Sequence, residues 1–315
     1  MLMMLLVRYE EAIAGVFSYL INKIPEAYLS EKSIKYSDLV VMEADIQDVK
    51  KTLLDKEVEE IMRQPISEWY KLFESKHKVR YDINSKEFEK FREIYYRRNL
   101  IVHNQGVVND TYRVNTKADV ECGEQLRVNK AYLIEALEIT RIIIYGTFLG
   151  LKKTSDYPQT IQERLFEIAY DHMLASKWRL SEYIYGALML EKEQSEAEKL
   201  CNKVNYWISV KNQERIETIE EEINKLDVTA HSGQFKMAKY ALLNEFDEVT
   251  NALEEIIGKE IGVHEIEEWP LLIQYRESEA YTKFRSSHSE IFERQDYKPK
   301  PEEVEDNEVP ESDEI

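Results

Sequence analysis

Apolar residues recur every three or four positions along most of the chain, which is the spacing of one face of an α-helix. In residues 2–28, for example, Val7, Ala14, Phe17 and Ile21 alternate with charged residues, so we expect a helix with one buried face. The same pattern predicts helices over 37–63, 66–76, 85–104, 130–151, 160–175, 178–192, 195–226, 232–245, 246–260 and 276–293.

Helix-breaking residues are sparse, with nine Gly and seven Pro among 315 residues. Few breakers favour long helices over a succession of short strands and turns. Only residues 107–129, which are polar and rich in Asn and Asp, are typical of a long connection. The sequence therefore predicts an all-α protein.

The length of the chain favours about two domains. We expect an N-terminal helical bundle over residues 1–151, a polar linker over 152–160 and a C-terminal helical region over 161–297. Residues 298–315 carry eight acidic side chains against two basic ones. Such a segment has too little apolar surface to offset the entropy of folding, so we expect a disordered acidic tail.

Charge and cysteine content narrow the functional classes. A net charge of −19 argues against general nucleic-acid binding but permits a local basic site. Cys122 and Cys201 form no C-x-x-C pattern, which favours a reducing cytoplasm without a zinc site or disulfide. The apolar residues 1–7 are too few to span a membrane, so we expect the start of a buried helix and no membrane association. No metal or cofactor is predicted.

The densest cluster of chemically capable side chains lies in residues 93–109, where Gln105-Gly106 should end a helix. Arg98 can bind a phosphate through two parallel hydrogen bonds. Histidine is the residue type suited to proton transfer near neutral pH, so His103 can act as a general base or acid. Asn99 lies four residues before His103, on the same helix face, and can orient it. These three residues are the candidate catalytic group.

Neighbouring side chains are weaker candidates for binding a substrate. Tyr96 shares the face of His103 and can stack on a base, and Arg97 and Asn104 flank the group. Simpler interpretations exist: His103 can stabilise the helix dipole, and Arg97 with Glu93 can be an ordinary surface pair. Acidic pairs such as Glu10-Glu11 are expected to be solvated helix faces.

The pattern Arg98-Asn99-x-x-x-His103, late in a helix of an all-α bundle, resembles the signature of the HEPN superfamily. The resemblance covers about the first 150 residues. It implies an endoribonuclease that needs no metal ion and cleaves RNA by attack of the 2′-hydroxyl on the adjacent phosphate. It also implies a homodimer in which two copies of the motif face one cleft. The expected biological role of such a nuclease is that of a toxin or an antiphage-defence effector.

The spacing of the motif bears on this dimer. On an ideal helix, Arg98 and His103 point roughly 140° apart, so they do not share a face. A long arginine side chain can wrap around the helix, the helix can loosen near Gly106, or the site can be built across a dimer. We favour the dimer.

The C-terminal region suggests an alternative function. Residues 178–188 and 237–249 combine small and aromatic residues in a way that loosely resembles tetratricopeptide repeats, although no strict 34-residue period is present. An irregular helical array of this kind is typical of proteins that bind a protein partner. The alternative is therefore a non-catalytic HEPN-like dimer that serves as an adaptor. The acidic tail, as a mimic of nucleic acid, could in addition regulate a basic cleft.

Overall fold

The computed structural model describes residues 1–30, 33, 46–79, 81, 85–152, 155–191, 194–228 and 232–295. Within those ranges the regular structure is helical, which confirms the all-α prediction. The α-helices are α1 Leu2–Lys23, α2 Glu26–Leu29, α3 Ile46–Met62, α4 Ile66–His77, α5 Lys86–Asn104, α6 Asp110–Thr116, α7 Lys130–Lys152, α8 Pro158–Leu174, α9 Trp178–Leu188, α10 Glu196–Lys211, α11 Glu220–Asn224, α12 Gly233–Leu243, α13 Phe246–Ile256, α14 Val263–Glu268, α15 Ile273–Arg276, α16 Glu279–Ser287 and α17 Ser289–Gln295.

Most predicted helices are present at nearly the predicted positions. Pro25 and Pro65 act as breakers: α1 ends just before Pro25, and Pro65 is the N-cap of α4. Residues 37–45 of the second predicted helix lie outside the described residues, as does the predicted tail over 298–315.

Two regions differ from the prediction. The connection over 107–129 contains helix α6, whose first turn is capped because the Asn109 side chain accepts a hydrogen bond from the Tyr112 amide at 2.9 Å. The single helix predicted over 195–226 is broken into α10, a 3₁₀ turn at Ile216–Thr218 and α11. The break, which begins after Lys211, includes Glu214, whose positive φ of 57° is incompatible with a continuing helix.

The chain forms two compact units. Of the described residues, the first unit comprises those within Met1–His172 and Arg179–Lys203, and the second comprises Met173–Trp178 and those from Val204 to 295. These units do not follow the predicted boundaries at 151 and 161, because α8 and α9 belong largely to the first. The Tyr145 hydroxyl on α7 lies 2.7 Å from His172 Nε2 on α8.

Buried aromatic residues organise the core of the first unit. Helix α1 buries Leu6, Tyr9, Ile13 and Phe17, and α4, α5 and α7 supply much of the surface that covers them. A buried hydrogen-bond chain joins three of these helices: the Tyr9 hydroxyl lies 3.0 Å from that of Tyr70, which lies 2.9 Å from Thr147 Oγ1. The hydroxyls satisfy one another, so the polar chain is compatible with burial.

The second unit contains a helical hairpin, α12 and α13, at the place where the sequence pairs small and aromatic residues. Asn244 adopts the left-handed conformation between the two helices, with φ of 61°. The facing surfaces bury small and aliphatic residues, which lets the helices approach closely. They include Met237, Ala238, Ala241, Leu242, Val249 and Leu253. The helix–turn–helix is confirmed, while the likeness to tetratricopeptide repeats stays a prediction.

Candidate functional site

Helix α5 carries the Arg98-Asn99-x-x-x-His103 motif. Its N-cap is Ser85, whose hydroxyl accepts a hydrogen bond from the Phe88 amide at 3.2 Å. Phe88, Phe91 and Ile94 bury its first half in the core of the first unit. The helix ends at Gln105, which adopts the left-handed conformation with φ of 53°. The motif therefore occupies the last two turns of a firmly packed helix.

Gly106, the next residue, also has a positive φ, 82°, and lies against another backbone segment. Its carbonyl accepts a hydrogen bond from the Leu126 amide at 2.9 Å, and the Val108 amide donates to Glu124 O at 2.8 Å. A Cβ at Gly106 would lie 2.8 Å from Leu126 O, so only glycine fits. These bonds fix the end of α5 to the segment around residue 125.

Arg98 is held by residues of α1 and of its own helix. Its guanidinium pairs with Glu10 Oε1 on α1, and the side chains are 19% and 28% exposed. The Tyr95 hydroxyl donates to the same carboxylate oxygen at 2.6 Å, and the Arg98 guanidinium lies 4.8 Å from the centre of the Tyr95 ring. Burial, and next the hydrogen bond to Glu10, raise the pKa of Tyr95, so it remains a donor. The pair is partly open to solvent.

Arg97 belongs to a separate network around Glu93. The Arg97 Nε donates to Glu93 Oε1 at 2.7 Å, with side chains only 16% and 21% exposed. The hydroxyls of Tyr112 and Tyr132 also donate to this carboxylate, the latter at 2.8 Å. Burial, followed by the Glu93 hydrogen bond, raises the pKa of Tyr112 to about 12. Arg97 and Glu93 thus form a mostly buried structural pair rather than the ordinary surface pair.

His103 and Asn99 differ in their exposure to solvent. His103 is exposed in the last turn of α5, and Asn99 is half-buried one turn earlier. Among the described residues, neither side chain takes part in a hydrogen bond or ion pair, and none joins Arg98 to either of them. The structure therefore places the three predicted residues on one helix without bringing them into contact within one chain.

The remaining candidates have structural contacts. Tyr96 packs against the small cluster of Leu100, Val108 and Tyr112, so part of its ring is covered. The Asn104 side chain donates to Val107 O at 2.5 Å and thereby stabilises the turn after α5. Neither contact tests a role in binding a substrate.

Two features of the site were not recognised in the sequence. Glu10, expected on a solvated face, is the ion-pair partner of Arg98, whereas Glu11 does lie on the surface, paired with Arg8 at 2.7 Å. The hydroxyl of Tyr95, a residue that was not among the candidates, donates to the same Glu10 carboxylate. The only signal for Glu10 was its place beside Tyr9 on the buried face of α1, and the sequence does not tell which helix covers that place.

Comparisons with known proteins found no relative: no family model, no curated protein and no solved structure matches this chain. None of the helices in the described ranges is both long and apolar enough to cross a membrane. Over the same ranges, no group of three or more His, Cys, Asp or Glu side chains is arranged to hold a metal ion. The function must therefore be inferred from the motif and its surroundings.

Proposed function

We propose that the protein is a metal-independent endoribonuclease of the HEPN type, with a composite site formed by two copies of α5. The observation that carries the proposal is the separation of Arg98 and His103. Arg98 faces Glu10 on α1, while His103 is exposed at the helix end. Two groups that one chain holds apart can still meet one phosphate when a second copy contributes its own helix end.

The surroundings of His103 support docking of a second copy at this end. Val102, directly before it, is 45% exposed, so the helix end presents an apolar side chain next to His103. The helix end is also fixed by the backbone hydrogen bonds that join Gly106 to Leu126 and Val108 to Glu124, so His103 would enter the interface on a rigid support.

The chemistry follows from these positions. The RNA 2′-oxygen attacks the adjacent phosphorus while the bond from phosphorus to the 5′-oxygen breaks. His103 of one copy takes the proton of the 2′-hydroxyl, and His103 of the second copy gives a proton to the leaving 5′-oxygen. Arg98 exchanges Glu10 for the phosphate and stabilises the charge of the pentavalent transition state. The products are a 2′,3′-cyclic phosphate and a 5′-hydroxyl end.

A second function, a non-catalytic dimerisation or adaptor protein, is favoured by one observation. Both Arg97 and Arg98 are paired with carboxylates of the same chain, so the two arginines also make sense as structural cations. In that case the helical array of the C-terminal half would bind a protein partner.

The test is cleavage of single-stranded RNA by the purified full chain in EDTA. We expect His103→Ala to lower the rate by about 100-fold or more, because proton transfer is lost. His264→Ala is the matched control, since His264 is also exposed but lies in the second unit, paired with Glu268 at 3.3 Å.

The products and the oligomeric state separate the two functions. Cyclic-phosphate ends, together with a loss of wild-type cleavage when an excess of His103→Ala copies is mixed in, would support a composite site, because a mixed dimer holds only one of the two histidines. Equal cleavage by wild type and His103→Ala would contradict the nuclease. A dimer that cleaves no RNA would favour the adaptor.

A further inference from the structure

A cleft of about 420 Å³ lies in the first unit between α8 and α10, away from the motif on α5. One face of α8 and one face of α10 form its sides, and Leu188 at the end of α9 closes it. Phe166, Leu188 and Ala197 give it an apolar wall. A volume of this size is within the range of small-molecule sites.

Asn202 lines this cleft, and its side chain carries a buried polar atom without a partner. Asn202 is only 3% exposed, and its side-chain oxygen has no hydrogen bond to any part of the chain that the structure describes. Its amide nitrogen donates to Gln194 Oε1 at 3.3 Å, which leaves the oxygen as the available group. Buried acceptors are nearly always paired, so this oxygen calls for a donor from a bound molecule.

The charges on the cleft point to the kind of molecule. Glu163 and Glu198 line it, and in the described ranges neither forms an ion pair with a cationic side chain. Glu163 accepts a hydrogen bond from Gln159 at 3.1 Å, and Glu198 accepts two from Ser195. Those bonds to Ser195 lower the pKa of Glu198, so it is charged at neutral pH. The third carboxylate of the lining, Glu167, pairs with Arg164 at 2.7 Å. The walls thus offer two carboxylates without a cationic partner in the described ranges, and one buried acceptor, around an apolar surface.

We infer that this cleft binds a small organic cation whose N–H groups sit on an apolar chain, such as a guanidinium or ammonium group. Its N–H donors satisfy Asn202 Oδ1, its charge is balanced by Glu163 and Glu198, and its chain packs on Phe166 and Leu188. A guanidinium also stacks favourably on the face of an aromatic ring such as Phe166. The site is independent of the proposed nuclease site.

Cys201 offers a direct reporter, because it lines the cleft beside Asn202. Burial, and next the charge of Glu198, raise the pKa of its thiol, so it stays protonated and reacts slowly. In a Cys122→Ser background it is the single cysteine of the chain. A molecule that fills the cleft should slow alkylation of Cys201 by iodoacetamide, read by mass spectrometry.

The binding test uses agmatine, titrated by calorimetry into the full chain. We expect one site per chain, and affinity at least about tenfold weaker in Asn202→Leu and in Glu163→Gln. Glu196→Gln is the matched control on α10, since Glu196 lies outside the cleft and pairs with Lys199 at 2.7 Å. Glu163→Gln keeps the test decisive if Asn202→Leu does not fold.

Two further probes decide the chemistry and its source. Butylurea, a neutral analogue, should bind much more weakly, and equal binding would overturn the cationic ligand. Tighter binding of acetyl-arginine amide than of agmatine would identify a peptide side chain as the source, and the reverse would identify a free amine. No saturable binding of either cation, or equal binding by Asn202→Leu, would overturn the proposal.

Discussion

Two adjacent arginines of α5 have different surroundings: Arg97 lies in a mostly buried network, whereas Arg98 is partly accessible to solvent. Arg97 is enclosed in the Glu93 network, where two tyrosine hydroxyls and a guanidinium satisfy one carboxylate. Arg98 meets Glu10 in a smaller contact that a competing anion could replace. The Glu93 network fixes the position of the helix, whereas the Glu10 contact leaves the Arg98 guanidinium partly exposed to solvent.

The largest effect is expected from Glu93→Ala. It removes the common acceptor of three donors and leaves Arg97 mostly buried without its counter-ion, which should cost about 3 kcal/mol of unfolding free energy. Urea unfolding followed by circular dichroism measures the change. Glu11→Ala, which breaks an exposed pair, should cost less than about 1 kcal/mol. Equal costs would show that the Glu93 network is not structurally special.

Gly106→Ala should come next, at about 2 kcal/mol, because the new Cβ meets Leu126 O and the residue must keep a positive φ. Thermal unfolding provides the measurement. Gly15→Ala is a control of opposite sign: no atom lies within 4 Å of a Cβ at this helical position. Alanine should therefore stabilise α1 by roughly 0.5–1 kcal/mol. A neutral Gly106→Ala would mean that the end of α5 is not fixed as described.

Glu10→Gln should cost about 1 kcal/mol, because the pair with Arg98 is partly solvated. If Arg98 binds phosphate as proposed, the same change should tighten the binding of single-stranded RNA at low salt, measured by fluorescence anisotropy. Glu11→Gln, one residue further along α1, serves as the control. Unchanged RNA affinity in Glu10→Gln would argue that Arg98 has a purely structural role.

The smallest change in stability is expected from His103→Ala, within about 0.5 kcal/mol, since the exposed side chain has no partner among the described residues. Differential scanning calorimetry on the same preparations used for RNA cleavage would check it. A large loss of stability would mean that His103 supports the fold, and any loss of cleavage could then not be assigned to chemistry.

Local patterns were enough to predict most of the helices. Apolar spacing located α1, α4, α5 and α7, and in the structure Pro65 is the N-cap of α4 and Ser85 that of α5. Helix α6 was missed because its Asn- and Asp-rich composition is typical of turns, although Asn109 followed by Tyr112 is a capping arrangement. The short helices over 263–276 were missed because so few turns give little periodicity.

Contacts over long distances along the chain could not be predicted in this way. The motif was visible as residues on one helix, but its partner Glu10 lies 88 positions from Arg98. Periodicity tells which side of a helix is buried and says nothing about which helix covers it. For the same reason the unit boundaries differ from a linker chosen by composition, since α8 and α9 pack back onto the first unit.

The backbone hydrogen bonds that join Gly106 to Leu126 and Val108 to Glu124 also determine where this protein tolerates a change in length. These bonds hold together the two ends of the loop over residues 107–125, whatever path the loop takes between them. The entropic cost of closing a loop rises only slowly as residues are added to it. An insertion at the exposed Asp119 would therefore lengthen the loop while His103 stayed in place, so this loop is where a reporter tag could be inserted beside the motif without moving it.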